Sequence, residues 1–333
     1  MSKGKAPGQH QRKGMTLMEF FDRFPDDAAA ERYLAEARWP DGPRCPHDGC
    51  DSANVQIVKN RKPQPFRCRT CRKHFSVRTN TPMHASNLGF RVWLLAMYLM
   101  VTGIKGTSSM KLHRDLGVTY RTAWHLSHRI REAWADQQSL SFFDGPVEID
   151  ETYIGGKAKN MHAKDRERRI SGRGGVDKAA VVGAKDRATG KVSAEVVKAV
   201  DAPTLREFVD SHAAPATTVF TDGATAYRGR QNHHAVLHSL GEYVRGEVHT
   251  NGIESLWSML KRGYVGTYHK MSDKHLHRYV SEFAGRHNHR PLDTADQLTL
   301  TVNSMNGKRL PYAELVANAP AGTAVERDYC EPW

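Results

Sequence analysis

Four cysteines and three acids are the residues of this chain whose type and spacing could do chemistry. Cys45 and Cys50 form a C-x4-C pair, and after seventeen intervening residues Cys68 and Cys71 form a C-x2-C pair. Two tight turns that each present two thiolates can close a tetrahedron around zinc, which supplies folding energy to a segment too short to have a core. No coordination position is left for water, so this zinc is expected to be structural. His47 is the alternative to one of the cysteines, and Cys330 stands apart near the C-terminus. The acids are Asp150 in VEIDET, Asp222 in VFTDG and Glu254 in HTNGIESLWSMLK. Each has a plain structural alternative: a solvated strand residue for Asp150, a hairpin turn at Asp222-Gly223, and a capping-box partner of Asn251 for Glu254. Together they meet a chemical need. Two divalent ions about 4 Å apart, one activating an attacking oxygen and one stabilising a leaving oxygen, require a few carboxylates converging from different elements. Lys261 follows Glu254 by seven residues, two helical turns along the same face, where it can neutralise a phosphate beside such ions. Trp257 shares that face and reads as packing.

The elements that must position these groups follow from periodicity. Residues 15–38 read as a short helical segment, and residues 43–79 as a small metal-stapled module with short β-type runs. Helical periodicity covers 88–102, 107–115 and 119–134, the last two separated by Leu116-Gly117-Val118, which is the helix-turn-helix pattern. The third of these helices keeps Ala123, Leu126 and Ile130 on one face and leaves Tyr120, Arg121, His125, His128 and Arg129 for a groove or for phosphates. The alternative is an ordinary packed helix with a solvated basic face. Strand texture follows at 147–154, 179–184, 192–200 and 217–221, with a helix at 203–212, and then helices near 251–262 and 272–287. This order predicts a mixed sheet with helices packed on it. Its first strand carries Asp150, a later strand end Asp222 and a following helix Glu254, the distribution of an RNase H-like sheet. A basic loop at 155–178 is expected to be mobile, and the last thirty residues are uninformative.

Charge placement separates the halves. Residues 1–140 hold 23 Lys and Arg against 12 Asp and Glu, whereas residues 141–333 hold 26 against 24. From Lys59 to Arg131 there are fifteen basic residues and one acid, Asp115. A stretch this one-sided implies a polyanionic neighbour, and nucleic acid is the expected one. The longest apolar run, 92–101, falls far short of the roughly 20 residues of a membrane span, and the N-terminus has no apolar signal core, so a cytoplasmic protein is expected. Five cysteines in a reducing compartment argue for metal over disulfides.

At these motifs the sequence resembles the bacterial insertion-sequence transposases of the Asp-Asp-Glu superfamily, in the group with an N-terminal zinc ribbon. The resemblance runs from about Phe20 to Pro291 and rests on Arg38-Trp39-Pro40-Asp41-Gly42 before Cys45, on Glu148-Ile149-Asp150-Glu151-Thr152-Tyr153-Ile154-Gly155-Gly156-Lys157, on Thr221-Asp222-Gly223, and on His249-Thr250-Asn251 leading into Glu254 and Lys261. Arg278-Tyr279, Glu282-Phe283 and the 286–290 stretch add to it. The first knuckle, C-x4-C, is looser than the group's usual C-x2-C. The resemblance implies an RNase H-like catalytic domain and Mg2+- or Mn2+-dependent strand cleavage with two ions held by Asp150, Asp222 and Glu254. It further implies strand transfer by a DNA 3′-hydroxyl. In some relatives an Asn takes the third acid's place, which keeps Asn251 as a competitor. The implied partners are double-stranded DNA, as transposon ends and target, and further copies of the chain in a dimer or larger assembly near the nucleoid.

The expected organisation is multidomain α/β: a basic arm and short helical segment over 1–42, a zinc ribbon over 43–80, a helix-turn-helix domain over 84–138, a catalytic domain over 144–292 and a C-terminal extension over 293–333.

Overall fold

A computed structural model of the chain describes residues 13–58, 60–135, 142–143, 145–156, 162, 164, 178–222, 232–236 and 249–317. Most of the 155–178 loop and Cys330 lie outside the described residues. The chain begins with two helices where one segment was expected, α1 (Leu17–Arg23) and α2 (Asp27–Arg38). Pro25 disfavours helical backbone at Phe24, which is at φ −124° and ψ 69°, and the Asp26 side chain then caps α2 by accepting from Ala29 N at 2.7 Å. Three short antiparallel strands follow, β1 (Val55–Ile57), β2 (Phe66–Cys68) and β3 (His74–Phe75).

Next come α3 (Phe90–Thr102), α4 (Ser109–Leu116) and α5 (Tyr120–Ala135). Gly117, at φ 64°, ends α4 in the left-handed region that a side chain would strain, and the chain turns directly into α5. Helix α3 is apolar around most of its surface because it is central: Trp93, Leu94, Met97 and Met100 are fully buried. It sits in one core with Phe20 and Leu34 from the first helices, Cys68 and Phe75 from the ribbon, and Ala123 and Ile130 from α5.

The second half holds a five-stranded sheet in the order β6 (Val192–Val197), β5 (Ala179–Asp186), β4 (Val147–Ile154), β7 (Val219–Asp222), β8 (His233–Val236). β4, β5 and β6 run antiparallel in sequence, whereas β7 and β8 lie parallel to β4 on its other side. A mixed sheet with the first strand in the centre is the RNase H-like arrangement. Strand alternation decides what each face carries. Val147, Ile149 and Val219 pack against α6 (Ala202–His212) through Leu205, Phe208 and Val209. On the opposite face, Ile154 and Val181 pack against α7 (Asn251–Gly263) and α8 (Asp273–His289). Glu148 and Asp150 share the phase of Ile154 and so face α7. The edge strand β6 is held by Asn288 of α8, whose side chain accepts from Val192 N at 2.8 Å and donates to Val192 O at 2.9 Å.

Two short helices close the described chain, α9 (Thr294–Asn303) and α10 (Tyr312–Val316). Leu298, Val302 and Met305 belong to the N-terminal core, so the C-terminal segment folds back over the first half of the molecule. The halves are also joined at a buried ion pair. Arg131 of α5 donates to Glu282 of α8 at 2.7 Å, both side chains fully buried, and Tyr268 donates to the same carboxylate at 3.1 Å. Among the described residues no helix is long and apolar enough to cross a membrane.

Candidate metal centres and catalytic cleft

The four cysteines meet as their spacing predicts. All four sulfurs lie within 4.8 Å of one another, with Cys45 Sγ 3.5 Å from Cys71 Sγ and Cys50 Sγ 3.7 Å from Cys68 Sγ. A tetrahedron with metal–sulfur bonds of about 2.3 Å has edges of about 3.8 Å, so the set fits zinc. The turns do the local work. The backbone N–H of Cys71, with that of Thr70, draws the Cys68 thiol down to about 6, while burial pushes Cys45 up to about 12. Such a set is relieved by a cation that takes the thiols as thiolates. His47 lies outside it: its Nε2 is 3.2 Å from the His74 carbonyl oxygen, and its ring meets Phe75 edge-on.

The acids converge from three elements. Asp150 in the middle of β4 and Asp222 at the C-terminal end of β7 come together because the two strands are parallel neighbours. Glu151 joins them, one carboxylate oxygen of each lying within 4.8 Å of the others. Glu254, in the first turn of α7, lines the same cleft of about 690 Å³ with Asp150, Glu151, Trp257 and Lys261. Asn251, at the exposed start of α7, is not among the lining residues.

The electrostatics are those of a crowded anionic site. Burial first, then the charge of Asp222 and more weakly that of Glu254, raises Asp150 to about 6. Asp222 Oδ1 is buried without a hydrogen-bond partner among the described residues. A buried carboxylate oxygen left this way is costly unless a cation completes it, so the donor set fits a hard divalent metal. Asp150 is held on its other side by Trp257, whose Nε1 donates to Asp150 Oδ2 at 3.0 Å. The indole is thus packing and contact at once. Gly183, the cross-strand partner of Asp150, makes this possible, since a Cβ there would sit 2.5 Å from the Trp257 ring. Glu151 is not among the acids singled out from the sequence; its signal is an acid directly beside Asp150 on the same strand.

The basic helix needs a correction. His128 is fully buried, and its ring packs against Trp124, His275 and Tyr279. Arg129 is also buried, donating to the His84 carbonyl and lying over Trp93. Neither presents a surface to a groove, because α5 packs against α8 and the C-terminal segment as well as against its own module. His125 is half-buried with its Nε2 3.0 Å from the Leu310 carbonyl oxygen, and Arg121 is exposed beside the Tyr312 ring. Lys261 is exposed at the cleft.

Comparison with known proteins places this geometry. A model of the ISXO2-like transposase domain matches residues 142–288, and a model of the transposase zinc-ribbon domain matches residues 25–74. An uncharacterized protein in transposable element ISH50 of Halobacterium salinarum is 31% identical over 272 residues, covering 78% of this chain and 90% of that protein. No solved structure matches the chain. With a zinc-ribbon set of cysteines, a mixed sheet that gathers acids from β4, β7 and α7, and a relative from an insertion element aligned along most of its length, the chain belongs to the ISXO2-like transposase family.

Proposed function

We propose that this transposase is catalytically active: it binds the terminal inverted repeats of its element, hydrolyses phosphodiester bonds at the repeat ends, and transfers the freed 3′ ends into target DNA. The observation that carries this reading is that Asp150 meets both other acids, which come from elements distant in sequence: its carboxylate lies within 4.8 Å of that of Asp222, it shares a cleft with Glu254, and the charges of both act on it. Two Mg2+ ions, or Mn2+, supply an activated attacking oxygen and a stabilised leaving oxygen when bound. Asp150, Asp222 and Glu254 hold them in this proposal, with Glu254 favoured over Asn251 because its charge acts on Asp150. Trp257 fixes the orientation of Asp150. Lys261 faces the phosphate next to the reacting one. Cys45, Cys50, Cys68 and Cys71 hold a structural Zn2+ that keeps the ribbon folded.

DNA is met by the basic N-terminal half, with Arg121, partly covered His125 and Lys261 as contacts. A dimer or larger assembly holds two ends together, and the protein works in the cytoplasm at the nucleoid. The test is incubation with labelled terminal-repeat DNA and Mg2+, with EDTA as control, followed by mapping of the cut strands. Metal-dependent cuts at the repeat ends are expected. Binding without cleavage would mark a regulator derived from a transposase, and cleavage of branched or hybrid duplexes without preference for repeat ends would mark a structure-selective nuclease; either result overturns the proposal.

A further inference from the structure

An ion pair between buried Glu148 and partly buried Arg187 lies immediately behind the acids and touches all three elements that carry them. Glu148 is 2% exposed and stands two residues before Asp150 on the same face of β4. Its Oε1 accepts from Arg187 Nε at 2.8 Å, and its Oε2 accepts from the backbone N–H of Ile253 at 2.9 Å. Ile253 immediately precedes Glu254, in the first turn of α7. The N-cap residue of that helix, Thr250, makes no capping hydrogen bond through its side chain, so the Glu148 carboxylate from another strand caps the helix. Arg187 completes the contact set. Its guanidinium donates to the His249 carbonyl at 2.6 Å and lies 3.9 Å from the centre of the Phe220 ring, two residues before Asp222 on β7. The fit is tight. A Cβ on Gly252 would come within 2.5 Å of Glu148 Oε2 and 2.6 Å of Lys185 Nζ, so a side chain there would have to displace the Glu148 carboxylate.

We infer that Glu148 and Arg187 form a positioning unit that fixes the first turn of α7 against β4 and β7, and thereby sets the distance at which Glu254 faces Asp150 and Asp222. The inference rests on the proposed metal role of those acids. Neither residue is placed to bind metal itself, because both Glu148 oxygens are already engaged by Arg187 and the Ile253 N–H. A carboxylate packed this way links elements that sequence separation leaves independent. Without it the start of α7 has no capping side chain from its own segment to hold its angle.

The test is Mn2+ binding to the full chain, read by calorimetry and by the electron-spin resonance signal of free Mn2+, alongside terminal-repeat DNA affinity and melting temperature. Electrostatics alone predicts that removing the Arg187 cation from beside an anionic site tightens metal binding. Positioning predicts the reverse. Arg187→Gln and Glu148→Gln are expected to weaken Mn2+ affinity by about ten- to a hundred-fold, the usual effect of losing a partner that orients metal ligands, with DNA affinity unchanged. The double variant should be no worse than either single one, because the two residues act as a unit. Should a single variant fail to fold, Glu148→Met with Arg187→Met removes both charges and leaves no lone buried ion, and the same loss of Mn2+ affinity is expected. Arg187→Gln binding Mn2+ as tightly as the natural chain, or tighter, overturns the inference. Asp150→Asn is measured in parallel: unchanged Mn2+ affinity there overturns the metal reading on which the inference rests, while its loss with Arg187→Gln unaffected overturns the positioning role alone.

Discussion

The cysteine cluster and the carboxylate cluster are both sets of like-charged ligand groups, yet they are built in opposite ways. The cysteines come from two turns within 27 residues, are brought together by their own short strands, and contribute Cys45 and Cys68 to a hydrophobic core. The carboxylates come from positions 150, 222 and 254; Asp150 and Glu254 line an open cleft, and one oxygen of Asp222 has no hydrogen-bond partner among the described residues. A closed set of four soft ligands suits a metal that completes folding. An open set of hard ligands, with Lys261 beside it, leaves coordination sites for a substrate oxygen. The ligands thus close around one metal-sized centre in one region and stay open to the cleft in the other.

Removing metal from each cluster should sharpen this contrast most. Stripping zinc, or Cys68→Ser, should unfold the ribbon, since structural zinc contributes about 10 kcal/mol or more in small modules. Because the ribbon shares its core with α3, limited proteolysis should then cut within residues 43–80 and the N-terminal half should melt early. A digestion pattern identical to that of the zinc-loaded protein would break the comparison. Asp150→Asn should do the opposite, keeping the fold and DNA binding while lowering terminal-repeat cleavage on the order of a thousand-fold or more, as measured by strand mapping. A variant that still nicks repeat ends at the natural rate would refute the role of Asp150.

A smaller effect is expected at the junction of the two halves. Glu282→Gln leaves Arg131 fully buried without its counter-charge and should cost about 3–5 kcal/mol in denaturant unfolding. Near it, burial, then Arg278 and Lys274, holds His275 down to about 3, and burial together with Arg131 pushes His128 in the same direction. Because these folded-state values lie below the ordinary 6.5, the unfolded chain binds more protons between about 3 and 6.5. The stability they contribute is therefore complete above about pH 6.5 and declines as pH falls through that window. Replacing His275 with Phe should flatten that part of the pH–melting curve, and an unchanged slope would exclude His275 as a source. The smallest effect belongs to Trp257→Phe, which keeps most of the packing but loses the bond to Asp150; about 1 kcal/mol, or several-fold in cleavage rate, is expected.

Much of this was legible in residue patterns. The alternation in VEIDET places Glu148 and Asp150 on one face of a strand, and the strand and helix segments of the second half emerge within a few residues of their periodic signals. What escaped is equally specific. β8 is four residues with two histidines, too short and polar to show a period, and exists because β7 offers an open edge. Helix α9 looked like an extension, yet its apolar face fills the N-terminal core. His128 and Arg129 looked like a basic surface because what covers them lies elsewhere in the chain: His128 packs on a helix that begins over a hundred residues later, and Arg129 on Trp93 and the His84 carbonyl before it.

By itself the sequence determined the local chemistry: which thiols pair within turns, which strands alternate, where helices start, and which acids are available. Those follow from interactions between near neighbours along the chain, whose geometry the backbone fixes. The tertiary structure decided what faces what: that β7 lies beside β4 so that Asp222 meets Asp150, that α7 is capped by a carboxylate from another strand, and that one side of α5 is interior. Such contacts depend on the packing of segments far apart in the chain, where many pairings satisfy the same local pattern and burial of shared apolar faces selects one.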